Sequence, residues 1–253
     1  MTILSVYNIK GGVGKTAAVV NLALLAANEN NKTLLCDLDP QSSATYYFRI
    51  KPKMKTGLKP LVKGKKSLEK NIKGTDFGSL DLLPADFSLR HMDIMLDGVK
   101  KPKHRLQSVL KMFHNEYEYI FLDCPPNITL VSENIFYASD IILVPVIPTT
   151  LSHRTFEKLL KFFKQNNLST GKIIPFFSMV EIRKNMHKNS MEVLKEEYPA
   201  FLNNKIPYSS VVEKMGIYRE PLVSFSPRSV PALQYQALWE EVKLLLKKKK
   251  KKI

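Results

Sequence analysis

The sequence predicts an α/β fold: a mostly parallel β-sheet with helices on both faces. Three observations carry that prediction. Short apolar runs alternate with segments of helical spacing along most of the chain, the first run passes through a glycine-rich turn straight into a helix, and two later runs end on aspartates. Parallel strands need long crossovers, usually helical, and strands covered on both faces read as continuous apolar runs. Ligands in such sheets bind beyond the carboxyl ends of the strands, which is where the glycines and aspartates of this chain fall.

In chain order, residues 3–7 read as the first strand and residues 17–27 as the helix after the turn. Thr33–Asp37, Leu80–Leu83, Tyr119–Asp123, residues 141–147 and Ile173–Val180 come next as strands. Residues 51–73 are polar, lysine-rich and weakly periodic, which predicts an exposed excursion with short helices. Near the end, Trp239, Val242 and Leu246 at spacing i, i+3, i+7 predict a last helix packed on the domain. No internal repeat is present. Residues 1–246 read as one domain and residues 247–253 as a basic, disordered tail.

With 253 residues, 44% of them hydrophobic, the chain is long enough to bury an ordinary core. It has no run of 18 apolar residues, and an opening strand and glycine loop do not have the layout of a signal peptide, so a cytoplasmic protein is expected. Cys36 and Cys124 each stand at the end of an apolar strand beside an aspartate, a setting for reduced, buried thiols rather than a disulfide framework. Lys plus Arg number 39 against 23 Asp plus Glu, a net charge of +16. The body stays strongly basic without the six lysines of residues 247–252, and a surface of that kind suits a polyanion.

The segment from Lys10 to Thr16, KGGVGKT, is the most informative in the chain. Between a strand and a helix, Gly11, Gly12 and Gly14 let backbone N–H groups, those near Val13 and Ala17 among them, converge on an anion. The helix N-terminus adds about half a positive charge. Lys15 suits the β and γ phosphates of a nucleotide, and the Thr16 hydroxyl suits Mg²⁺. The usual pattern has glycine five residues before Gly14, where this chain has Ile9, and it does not need a second lysine, which this chain has at Lys10.

Two further segments carry carboxylates. Asp37 and Asp39 end a strand one residue apart and fall on one side of it. Like charges so close need a cation or hydrogen-bond donors, and a Mg–nucleotide site supplies the first. Their structural reading is as caps of a helix starting near Gln41. In YIFLDCPP, apolar residues close on Asp123 at a strand end, where an acidic group holds Mg²⁺ through water, and Pro125 and Pro126 stiffen the backbone just after it.

Together these segments resemble the ParA/MinD superfamily of P-loop ATPases with a deviant Walker A loop, and in particular its short, Soj-like partition ATPases; the resemblance covers most of residues 1–246. It implies a P-loop NTPase fold, ATP and Mg²⁺ as cofactors, and hydrolysis of the γ-phosphoryl bond by water. It also implies a homodimer in the ATP state, in which Lys10 crosses the interface to the partner's phosphates. Lys10 and Lys15 are then the catalytic cations, Asp39 orients the attacking water, and Thr16, Asp37 and Asp123 lie at the metal. A cation about 4 Å from a phosphate oxygen gains on the order of 4 kcal/mol at an effective dielectric of about 20. Lys205 to Ser210 lie where the family has a segment beside adenine, which makes Pro207 and Ser209 the base contacts. Tyr208 and Val211 stand where arginines are common, which removes part of the family's DNA-binding surface.

The partners implied are nonspecific DNA, a stimulating ParB-like adaptor and the nucleoid. Arg183, Lys184, Lys188, Lys214, Arg219, Arg228, Lys247 and Lys248 are the candidate DNA contacts. A strand at the very start of the chain fits the short type, without a preceding DNA-reading domain. The alternative is a MinD-like positioning ATPase bound to membrane through an amphipathic helix within residues 239–252; the apolar part of that segment is short and fits packing better. The nitrogenase iron protein shares a loop of this kind, but Cys36 and Cys124, in unrelated settings, do not supply its cluster ligands.

Overall fold

A computed structural model describes residues 1–52 and 68–250. The chain runs β1 (Thr2–Val6), α1 (Lys15–Asn28), β2 (Thr33–Asp37), α2 (Ser43–Tyr47), β3 (Lys73–Gly74), β4 (Leu80–Leu83), α3 (Met92–Asp97), α4 (Arg105–Leu110), β5 (Tyr119–Asp123), α5 (Leu130–Ala138), β6 (Ile141–Val146), α6 (Thr150–Gln165), β7 (Ile173–Val180), α7 (Asn185–Glu197) and β8 (Lys205–Pro207). Three single-turn helices, Ser210–Glu213, Met215–Tyr218 and Leu222–Phe225, lead to the long α8 (Val230–Lys250). The strands form one sheet in the order β3-β4-β2-β5-β1-β6-β7-β8, parallel throughout except for the β3–β4 pair.

Successive side chains of a strand point to opposite faces, and here both faces are apolar. Ile3, Leu34, Ile120, Leu122 and Ile142 pack with α3 to α6 on one side. Leu4, Leu35, Phe121, Ile141 and Leu143 pack with α1 and α8 on the other. This double burial is why the strands read as unbroken apolar runs. The five later strands expected from the sequence are all present, four with the same bounds and β6 one residue shorter. β3 and β8 were not expected; they are two and three residues long, too short to set a pattern.

The last helix packs as its spacing predicts: Trp239, Val242 and Leu246 are buried. α8 continues through Lys250, so residues 247–250 of the expected disordered tail are helical, while residues 251–253 lie outside the described residues. The last turn is held where Lys249 Nζ donates to the Gly171 carbonyl at 2.9 Å. Of the lysine-rich excursion, residues 53–67 lie outside the described residues, while Leu68 and Asn71 at its end are buried rather than exposed.

Trp239 joins α8 to the sheet. Its ring meets Tyr119 and Phe121 at centroid distances of 5.3 and 5.8 Å, and its Nε1 donates to Glu29 Oε1 at 3.2 Å. Trp239→Ala is expected to destabilise the chain by about 3–5 kcal/mol, the range for emptying a large aromatic site, read as a lower urea midpoint with an unchanged m-value.

Candidate active site

The sheet order decides which residues meet. β5 is inserted between β1, which feeds the glycine loop, and β2, which ends in the paired aspartates. Asp123 is consequently in register with Val6 on one side and Asp37 on the other. Residues more than a hundred positions apart come together at one end of the sheet.

The loop is fixed from below. Asn8 Nδ2 donates to the Pro145 carbonyl at 2.8 Å, and Asn8 Oδ1 accepts the Lys10 N–H at 2.9 Å. Ser178 Oγ donates to the Val13 carbonyl at 2.9 Å. Gly12 and Gly14 have φ of +70° and +87°, left-handed values that glycine adopts without penalty. A Cβ at Gly14 would also stand 3.0 Å from Ser178 Oγ. Immediately after Gly14, α1 begins with its free N–H groups directed at the loop.

The two lysines differ. Lys15 is buried, and its ammonium donates to the Lys10 carbonyl at 3.2 Å. Burial pulls its pKa down, while the charges of Asp123, Cys124 and Asp39 pull the other way. The ammonium of Lys10 is half-exposed and has no hydrogen bond or ion pair among the described residues.

The carboxylates also differ. Asp123 is fully buried, and among the described residues neither of its oxygens is within ordinary hydrogen-bonding geometry of a donor. Burial, then the Asp37 charge, pushes its pKa well up; the neighbouring Thr16 hydroxyl and Lys15 ammonium offset only part of that. A buried acidic group with free oxygens beside a hydroxyl and an ammonium fits a site for hydrated Mg²⁺. Asp37 is equally buried but engaged: Oδ2 accepts the Thr45 N–H at 2.8 Å and the Thr45 hydroxyl at 2.7 Å, and Oδ1 accepts the Asp39 N–H at 3.2 Å. Its pKa is raised from 3.8 to about 6, chiefly by burial. Asp37 lies in register beside Asp123, and its contacts tie the segment after β2 to α2, while Asp123 is the carboxylate of the two with oxygens to spare among the described residues.

Two chambers flank the loop. The larger, about 660 Å³, is lined by Gly11, Gly12, Gly14, Lys15, Thr16, Asp39 and Gln41. Tyr47, Arg90, Asn127 and Thr129, which carry no sequence motif, also line it. Asp39 Oδ1 accepts the Gln41 N–H at 2.9 Å. The smaller chamber, about 190 Å³, is lined by Pro207 and Ser209, with Met179, Val212 and Tyr235. Gly12, Gly14 and Ala17 border both, so one elongated ligand can lie across the loop with a flat apolar end in the smaller chamber and an anionic end in the larger.

Comparison with known proteins agrees with this geometry. A family model described as an AAA domain matches residues 1–175. The sporulation initiation inhibitor protein Soj of Bacillus subtilis is 29% identical over 246 residues, which are 95% of this chain and 97% of that protein. The chain belongs to this family and is a ParA/MinD-type P-loop ATPase. Among solved structures, a plasmid partition protein of Borrelia burgdorferi bound to AMPPNP superposes with a TM-score of 0.80 at 24% identity, covering 98% of this chain and 99% of that one. The cell division ATPase MinD of Pyrococcus furiosus gives 0.76 at 21% identity, covering 96% and 99%. Both show that the fold is shared.

The candidate DNA contacts do not form one group in this ATPase. Arg183 and Lys184 leave β7, and Lys214 and Arg219 come after β8, so these lie beyond the carboxyl ends of adjacent strands. Arg219 stacks 4.5 Å from the Tyr46 ring and donates to the Tyr46 carbonyl at 3.2 Å, and Lys184 pairs with Glu181. Arg183, Lys188 and Arg228 are exposed. Lys247 and Lys248 fall at the opposite, amino end of the sheet, where α8 finishes beside Gly171.

A carboxyl group whose folded pKa exceeds its unfolded one costs stability as pH rises through the interval between them, since the unfolded chain gives up the proton first. For Asp37 that interval runs from about 4 to about 6. Asp123 acts in the same direction. Asp123→Asn is therefore expected to stabilise the nucleotide-free protein at pH 7.5 by about 1–3 kcal/mol while abolishing further stabilisation by Mg–ATP. A urea midpoint equal to or below wild type would contradict this.

Proposed function

We propose that this ATPase is a nucleotide-switched positioning protein: with ATP and Mg²⁺ it forms a homodimer that holds DNA nonspecifically, and hydrolysis releases both. The observation that carries the reading is the contrast between two lysines of one loop. Lys15 is buried and satisfied within the chain, as a cation serving its own nucleotide should be. Lys10 stands on the same loop with its ammonium half-exposed and unpartnered among the described residues, which supports a role toward the phosphates of a second copy. Dimer formation then depends on both copies holding a triphosphate.

Thr16 and Asp123 would hold Mg²⁺, Asp123 through water, and the ion would neutralise charge on the β and γ oxygens. Asp39, with one oxygen pinned by the Gln41 N–H, orients the attacking water with the other. The water oxygen bonds to the γ phosphorus as the bond to the bridging oxygen breaks, and ADP leaves with that electron pair. The γ-phosphate itself takes up the water's proton. Lys15, and Lys10 of a second copy, offset the charge on the oxygens that change. Pro207 and Ser209 receive the base.

Arg183, Lys188, Lys214 and Arg228 support a basic face for DNA, and retention there agrees with nucleoid association. Slow turnover accelerated by a ParB-like adaptor belongs to the same reading. Tyr235, Leu238, Trp239, Val242 and Leu246 of α8 pack into the domain, and the exposed Leu233 and Leu244 are too few for a membrane-binding stripe, which disfavours a MinD-like membrane helix.

Two variants separate the steps. Lys10→Ala is expected to bind ATP within a few-fold of wild type yet to lose ATP-dependent dimerisation and DNA retention; a wild-type dimer fraction by light scattering with ATP would refute the role of Lys10. Asp39→Ala is expected to bind ATP and stay on DNA while turnover falls by about 10²-fold or more, and normal phosphate release would remove Asp39 from the mechanism.

A further inference from the structure

α8 runs antiparallel to the strands. Tyr235, early in the helix, lines the smaller chamber at the carboxyl end of the sheet. Farther along, Glu241 accepts hydrogen bonds from the backbone and side-chain amides of Asn203 and Asn204, just ahead of β8. The helix finishes beside Gly171, just ahead of β7. At 1.5 Å per residue, Tyr235 and Lys249 are roughly 20 Å apart along the axis.

A cluster of cations gathers at that far end. Lys249 Nζ is held by the Gly171 carbonyl, and Lys172 Nζ lies 3.5 Å from the Phe136 carbonyl. Lys249 interacts electrostatically with Lys172, and Lys172 with Lys111. Among the described residues Asp140 is the one carboxylate that acts on both Lys172 and Lys249, and its Oδ2 already accepts the Ile3 N–H at 2.8 Å. Burial, with a like charge beside each, depresses the pKa of both lysines, so a nearby anion favours their charged forms. Lys247 and Lys248 in the same last turn are exposed and have no hydrogen bond or ion pair among the described residues.

We infer that Lys111, Lys172, Lys247, Lys248 and Lys249 form a second polyanion site, at the amino end of the sheet, that takes the phosphate backbone of duplex DNA without nucleotide. The inference rests on DNA as the polyanion of the proposed function, but not on dimerisation. Duplex DNA is favoured over a lipid surface because Val242 and Leu246 are buried against the domain, which leaves Leu244 as the one exposed large apolar side chain near the end of α8 among the described residues, beside exposed lysines. A dimer joined through the nucleotide face would carry two such sites pointing outward, and would bridge two duplexes.

The test is fluorescence anisotropy with a short mixed-sequence duplex from 50 to 200 mM salt, with and without a nonhydrolysable ATP analogue. It compares wild type, Lys10→Ala, and a variant with all five lysines changed to Gln, whose folding is checked by its melting temperature. Without nucleotide, wild type and Lys10→Ala are expected to bind alike. Three phosphate contacts would give a log–log salt slope of about 2.7 and an affinity loss of about 40-fold across the series. The five-lysine variant is expected to lose at least about tenfold in affinity at 50 mM, with a flatter slope, and to keep the gain on adding the analogue. Nucleotide-free binding that is absent in wild type, or unchanged in the variant, overturns the inference. So does tighter binding to anionic phosphatidylglycerol vesicles than to DNA. Loss of the analogue-dependent gain in wild type would instead count against the proposed function and leave this site standing.

Discussion

A buried carboxylate without a hydrogen-bond partner among the described residues is the constraint around which this protein is arranged. Asp123 is held there because β5 is wedged between β1 and β2, and the packing of both sheet faces keeps it from water. An unpaired buried charge is costly, and the Lys15 ammonium, bonded to the Lys10 carbonyl, does not cancel it. The nucleotide-free site is therefore electrostatically incomplete. A hydrated divalent cation carried in with phosphates completes it, and whatever binds only the folded state stabilises it by linkage.

Asp37 shows how the same residue type serves a different end on the neighbouring strand. Its carboxylate gathers Thr45 and the Asp39 N–H, and the Thr45 hydroxyl in turn accepts the Ala85 N–H at 2.8 Å. This network couples the segment that carries Asp39 to α2 and to the loop after β4. Catalysis by positioning needs such support, because the geometry at the phosphorus is only as good as the shell behind it.

Much of this was legible in the sequence. Strands buried on both faces must be apolar throughout, so their bounds could be read almost residue by residue, and the Lys10 to Thr16 loop announced an anion site between strand and helix. β3 and β8 escaped because two or three residues carry no period. Arg90, Asn127, Thr129 and Tyr47 escaped because they reach the larger chamber from three different segments, the turn before α3, the loop between β5 and α5, and α2, without motifs of their own. The helicity of residues 247–250 is hidden for a related reason: a lysine run looks solvated, yet these residues continue a helix already anchored by Trp239, Val242 and Leu246.

The sequence by itself determined the fold class, the phosphate loop and the identity of the acidic residues, since these depend on local pattern and residue chemistry. Tertiary structure alone decided their partners. Sheet order, which no local pattern encodes, put Asp123 between the loop and Asp37, left its oxygens without a donor among the described residues and gave those of Asp37 to Thr45 and the Asp39 N–H. The antiparallel course of α8 likewise divided one excess of positive charge between the two ends of the sheet, because where a lysine lies in space depends on the packing of its helix and not on its place in the chain.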